Sequence, residues 1–223
     1  MSRRRGAENF ESNKKFRKQN KLDLKRNKNT KSIRQSIILA CEGTKTECLY
    51  FNDIFLELKN NHQIASSSLV IADHHHTDPI GVLSDLLNHP NYQDFQYKWI
   101  VIDRDEERTN GGGHTLDNFN TALSKAKSKG IKVAYSNPCF EIWYLLHFEY
   151  RNTAIDRDEL CNKLITEFGY QKNTLFKQGC LSYAKDNANR LLENYIHNDP
   201  ANNNPSTTVH KLVEELEGFK IPS

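Results

Sequence analysis

The sequence predicts an α/β fold: a four-stranded parallel sheet flanked by helices, followed by a C-terminal helical extension. Three observations carry this. Four short, nearly continuous apolar runs recur along residues 36–135, as expected of strands buried on both faces. Each run is followed by a segment with apolar residues at helical spacing, and strands alternating with helices imply crossover units and a parallel sheet. After about residue 150 only helical patterns follow, and no internal repeat is present.

The elements follow in order. Ser36–Cys41 is the first predicted strand, ending at Glu42-Gly43-Thr44, and Thr46–Leu58 the first helix. Ser68–Ala72 is a second strand, running into the turn His74-His75-His76. Pro79–Leu87 follows as a helix with proline in its first turn. Tyr97–Ile102 is the third strand, with Asp103-Arg104-Asp105 at its carboxyl end. The loop Gly111-Gly112-Gly113 reads as a flap before the helix Leu116–Ser128, which Gly130 closes. Ile131–Tyr135 is the fourth strand, broken by Ser136-Asn137-Pro138, and Phe140–Phe148 the most apolar helix. The extension holds helices over Asp158–Phe168, Ser182–Tyr195 and Thr207–Leu216. The resulting organisation is a basic arm over 1–32, an α/β core over 33–150 and a helical extension over 151–223.

Composition narrows the class. A chain of 223 residues with 37% hydrophobic residues can bury one sizeable core, and its apolar runs are too short to span a membrane. The polar, basic start lacks the apolar stretch of a signal peptide, so a cytoplasmic location is expected. The five cysteines show no CxxC spacing and read as small buried hydrophobes in a reducing compartment rather than as a zinc site. The net charge of +3 conceals an asymmetry: residues 1–35 carry 13 Lys/Arg against 3 Asp/Glu, leaving 18 basic and 25 acidic residues in the body. Such an arm suits phosphate contact with nucleic acid, or docking on an acidic surface or partner protein.

The chemistry concentrates at strand ends. In open α/β sheets ligands bind outside the carboxyl ends of the strands. Glu42 follows the first strand, Asp103 and Asp105 the third, and Glu141 comes shortly after the fourth. Carboxylates gathered at one edge repel one another unless a hard divalent cation such as Mg²⁺ or Mn²⁺ neutralises them. Alternation lets Asp103 and Asp105 reach one ion. Lys45 and Arg104 flank these acids and either hold a scissile phosphate or pair with a neighbouring carboxylate. Glu141, in an apolar helix, either faces the site, the favoured reading, or pairs with a base such as Arg151. His147 reads as a core histidine, Trp99 and Trp143 as core, and the adjacent histidines 74–76 as a solvated loop. No phosphate-cradling G-x-x-x-x-G-K-[ST] motif occurs.

The pairing of ILACEG with IVIDRD resembles the Toprim domain shared by topoisomerases, primases and the overcoming-lysogenisation-defect nucleases. More narrowly, CEGTKTE, VIDRDE, NPCFEIWYLLHF and NPSTTVHKLVEEL, in that order, resemble the RloB-like proteins of bacterial restriction and phage-defence loci. The resemblance implies a Toprim/Rossmann-like fold, Glu42 as general acid or base, and Asp103 and Asp105 as Mg²⁺ ligands. Glu47 matches a further acidic position, one residue later than the family pattern. It also implies a nuclease effector of anti-phage defence (abortive infection), controlled by a separately encoded ATPase. The substrate would be RNA, such as transfer RNA, or DNA. The competing expectation is a catalytically idle Toprim subunit that regulates an ATPase complex. The block after Asn204 either docks a partner or sister subunit or caps a helix. A topoisomerase or primase fragment fits poorly, since neither a nucleophilic-tyrosine domain nor zinc-ribbon spacing is recognisable.

Overall fold

The computed structural model describes residues 36–60, 69–106 and 112–219. The basic arm and Gly111 of the glycine loop lie outside the described residues. In chain order the elements are β1 (Ile37–Cys41), α1 (Thr46–Asn60), β2 (Leu69–Ile71), α2 (Pro79–Asn88), β3 (Tyr97–Asp103) and α3 (Leu116–Ser128). They continue with β4 (Lys132–Asn137), α4 (Glu141–Leu146), α5 (Arg157–Phe168), α6 (Leu181–Asn194), β5 (Ser206–Thr207) and α7 (Val209–Glu217). They build a mostly parallel, Rossmann-like sheet of order β2-β1-β3-β4-β5, flanked by seven helices among the described residues.

Alternation along the strands sorts the core into two layers. Ile37, Leu39 and Cys41 of β1, with Trp99 and Val101 of β3, face one side of the sheet. There they meet Phe51 and Phe55 of α1, Trp143 of α4, Leu164 of α5, Ala184 of α6 and Leu212 of α7. Ile38, Ala40, Ile100 and Ile102 face the other side, against Val82 and Leu86 of α2 and Phe119 and Ala126 of α3. This two-sided burial is why β1 reads as an unbroken apolar run rather than an alternating one. Trp99 and Trp143 are core residues, as read from the sequence. Each fully buried large side chain contributes about 1.5–3 kcal/mol.

One feature departs from the expected architecture. The sheet has a fifth strand, β5, antiparallel to β4, with Ser136 opposite Thr207 and Asn137 opposite Ser206. Thr207, expected to open the last helix, is therefore a strand residue together with Ser206, and α7 begins only at Val209. The reason is polar: Thr207 Oγ1 donates to the Tyr135 carbonyl at 3.0 Å and Thr208 Oγ1 accepts from the Tyr135 N–H at 3.0 Å. These hydroxyls satisfy the β4 edge, a role that apolar periodicity does not signal. In addition, α5, α6 and α7 supply Leu160, Ala188, Leu191 and Val213 to the same core as β1 and β3.

Local signals account for the ends. Asp78 caps α2, accepting from the Gly81 N–H at 3.1 Å, with Pro79 in the first turn. Thr115 caps α3, and Gly130 follows it with φ +67, a left-handed conformation that glycine adopts without strain. The histidine turn is a loop with His75 and His76 exposed, as expected, and one carboxylate orders it. Asp85 Oδ2 accepts the N–H groups of His75 and His76 at 2.9 and 3.0 Å, and Asp85 Oδ1 meets His76 Nδ1 at 2.6 Å. Burial alone would raise the Asp85 pKa, but these bonds outweigh it and hold the carboxyl below its ordinary value. The turn thereby places His74 Nε2 at 2.8 Å from the Glu42 carbonyl. Asp85→Ala should cost about 1–3 kcal/mol in urea denaturation, because it strands these donors. Exposed Asp73→Ala, in the same segment, should stay within about 0.5 kcal/mol.

Candidate functional site

The chain order places a topological switch between β1 and β3: the chain leaves β1 for β2 on one side and returns to β3 on the other. In open α/β sheets such a switch point forms the crevice, outside the carboxyl ends of the strands, where ligands bind. Glu42 stands immediately past β1 and Asp103 ends β3. The two are tied together, since Glu42 Oε2 accepts the Asp103 N–H at 3.0 Å and the Glu42 N–H donates to the Val101 carbonyl at 3.0 Å.

Around this pair the fold gathers further acids. Glu47 and Glu141 open α1 and α4, and Asp105 follows β3. Glu47, Asp103, Asp105 and Glu141 are all buried. Glu47 packs against Gly43 so closely that a β-carbon there would lie 1.9 Å from Glu47 Oε2. The Glu-Gly dipeptide thus has a mechanical meaning: a larger residue at position 43 would have to displace the carboxylate of Glu47.

Mutual repulsion and burial shape the protonation of the cluster. Burial, joined by Glu141 and Glu42 and opposed by its own backbone N–H, pushes the Glu47 carboxyl up to about 7. Burial, with Glu47 and Glu42 adding, raises Asp103 well above the usual carboxylate range, while Arg157 opposes.

Arg157, at the first turn of α5, is the internal counter-charge. Its Nη1 lies 2.6 Å from Asp105 Oδ2 and 3.9 Å from Asp103 Oδ2. Burial works against the guanidinium charge, but Cys139 and the surrounding carboxylates outweigh it and keep it protonated. Asp103 Oδ1 nevertheless remains buried with no hydrogen-bond partner. A buried carboxylate oxygen in that state is costly. Oxygen donors of this kind suit a hard divalent cation by their chemistry, but among the described residues these acids do not bring three ligand atoms within 4.8 Å of one another. Glu42 and Glu141 act electrostatically on both Glu47 and Asp103, so the four acids share one neighbourhood. Asp105 is drawn to Arg157.

The remaining candidates fall as follows. Lys45 is exposed and lines a cleft of about 160 Å³ with Glu47, Glu141, Arg157 and Lys172. Arg104 is buried beside a larger groove of about 780 Å³ and lies 3.9 Å from Glu106 Oε1. Glu141 does not pair with Arg151, which binds Glu159 at 2.9 Å; instead Glu141 Oε1 accepts from the Tyr170 hydroxyl at 2.9 Å. His147 packs edge-on against Trp143, and its burial pushes its pKa down to about 4.

Three neighbours escaped the sequence reading. Arg157 and Tyr170 come from the C-terminal segment, and nothing local distinguishes them from surface or core residues. His114 is buried after the glycine loop, with Nδ1 3.6 Å from Glu42 Oε1. Its place beside a glycine-rich turn was the one available signal. Gly43→Ala should destabilise the fold by about 1–3 kcal/mol through overpacking. In a Glu47→Ala background the same change should cost distinctly less, a coupling that a double-mutant cycle in urea would measure.

Comparison with known proteins adds one result. A search of curated proteins and a search of solved structures found no match. The family model described as RloB-like protein matches residues 37–216, which include every described strand and all but the last residue of α7. With that match covering most of its length, the chain belongs to the RloB-like protein family.

Proposed function

We propose that this chain is a metal-dependent Toprim nuclease, the effector of an anti-phage (abortive infection) system controlled by a separately encoded ATPase. The observation that supports this most is the buried carboxylate oxygen of Asp103 left without a partner at the end of β3, in an acidic neighbourhood with Glu42, Glu47 and Glu141. Asp103, Asp105, Glu47 and Glu141 would hold the cation. Bound there, Mg²⁺ or Mn²⁺ would polarise a phosphate oxygen and lower the pKa of an attacking water.

The chain's own residues divide the remaining work. Glu42 is the least buried acid of the group and carries the proton, held in place by the Asp103 N–H and faced by His114. Lys45 and Lys172, exposed on the rim of the small cleft, bind the phosphate that enters beside Glu47 and Glu141. The basic arm supplies sequence-independent contacts to the rest of the nucleic acid. RNA of defined shape, such as transfer RNA, suits a compact site, with DNA as the other substrate class.

A second reading, a catalytically idle regulatory subunit, draws on the close Arg157–Asp105 pair, in which the protein neutralises part of its own acidic centre. The two readings separate on expression with the neighbouring ATPase. Glu42→Gln should reduce cleavage about 10²–10⁴-fold, the contribution of a positioned acid or base, and abolish toxicity while assembly persists. If Glu42→Gln and Asp103→Asn proteins keep full toxicity and an unchanged RNA and DNA cleavage profile, the nuclease reading fails.

Metal linkage gives an independent check. Glu47, raised from 4.5 to about 7, favours the fold when protonated, so stability without metal falls as pH rises through that interval. A divalent ion binds the ionised carboxylates and relieves the penalty. Mg²⁺ should therefore raise the Tm more at pH 8 than at pH 5.5 in a thermal-shift comparison with EDTA. The Asp103→Asn protein should lose this difference.

A further inference from the structure

Cysteines that no sequence spacing connects meet beside the acidic crevice. Cys139, two residues past β4, is fully buried, and Cys161 on α5 is half-buried. One ligand atom from each, together with a carboxylate oxygen of Glu141, all lie within 4.8 Å of one another. We propose that Cys139, Glu141 and Cys161 form a binding site for a borderline-soft divalent cation, Zn²⁺ in chemical class, distinct from the all-oxygen centre next to it.

The donor set argues for this ion. Two thiolates and one carboxylate suit tetrahedral Zn²⁺, with a water completing the shell, and they discriminate against Mg²⁺. The ligands come from rigid positions, the β4–α4 junction and the middle of α5. A partner outside the shell already orients the carboxylate, because the Tyr170 hydroxyl donates to Glu141 Oε1 at 2.9 Å. Two thiolates and a carboxylate carry three negative charges; the ion neutralises two, and Arg157, whose charge acts on Cys139 and Cys161, offsets the third. Binding releases the thiol protons to solvent and leaves the sulfur oxidation state unchanged.

The inference rests on the thiol geometry and not on the nuclease reading, with which it shares only Glu141. That sharing has a consequence. Glu141 turned toward the thiolates is withdrawn from the carboxylate group, so the soft ion would antagonise whatever the oxygen centre binds.

Co²⁺, a spectroscopic substitute for Zn²⁺, tests the site on the metal-stripped full chain under reducing conditions. One equivalent should give a thiolate-to-cobalt charge-transfer band and the strong visible bands of tetrahedral cobalt, both erased by added Zn²⁺. Cys161→Ser should abolish the charge-transfer band, and Cys48→Ser and Cys180→Ser should keep it. A wild-type chain without the band, or a band that survives Cys161→Ser, overturns the proposal. Alkylation read by mass spectrometry needs no variant: one equivalent of Zn²⁺ should protect Cys161 and leave exposed Cys180 reactive, and equal labelling of Cys161 with and without Zn²⁺ would sink it. Neither readout depends on nucleic-acid cleavage, so a catalytically inert protein that binds Co²⁺ as described would defeat the nuclease reading alone.

Discussion

The concentration of buried carboxylates near the carboxyl ends of β1 and β3 sets the terms for the rest of the molecule. Glu47, Asp103, Asp105 and Glu141 sit where solvent cannot screen them, and burial and neighbouring acids raise the Glu47 and Asp103 carboxyls. A fold tolerates such a group only by surrounding it with compensating contacts. Here these are the backbone N–H of Asp103 on Glu42, the Tyr170 hydroxyl on Glu141 and the Arg157 guanidinium on Asp105 and Asp103. None of them reaches Asp103 Oδ1.

That requirement explains why the C-terminal segment is integrated with the sheet. Arg157 and Tyr170 arrive on and after α5, whose Leu160 and Leu164 anchor it in the core shared with β1 and β3. β5 then binds the free side of β4 through Thr207 and Thr208, at the strand whose end leads to Cys139 and Glu141. Histidine 74, held by a turn that Asp85 pins, braces the Glu42 carbonyl from the opposite side. The acidic centre is thus supported from three directions by segments far apart in sequence.

The α/β character, the four parallel strands and the helices between them were legible because each depends on local periodicity and local caps. Leu116–Ser128, for instance, is marked by Thr115 before it and Gly130 after it. The placing of Glu42 and Asp103 at strand ends was legible for the same reason. β5 was not, since a two-residue polar strand carries no hydrophobic period and is defined by its partner. Nor was the histidine turn, whose order comes from a carboxylate nine or ten residues away. The cysteines are the sharpest case: read as isolated small hydrophobes, Cys139 and Cys161 meet only because α5 packs beside α4.

By itself the sequence determined what each segment would be and which acids would stand at the strand ends, because periodicity, capping and turn chemistry act over a few residues. It also fixed the family, since the matched region spans nearly all of the ordered elements. Tertiary structure alone decided which charges meet. Arg157 faces Asp105 across 52 residues, Tyr170 faces Glu141 across 29, and Glu47 lies against Gly43 rather than in solvent. The physical reason is that electrostatic and desolvation energies depend on distance and burial, and both are properties of the packed chain.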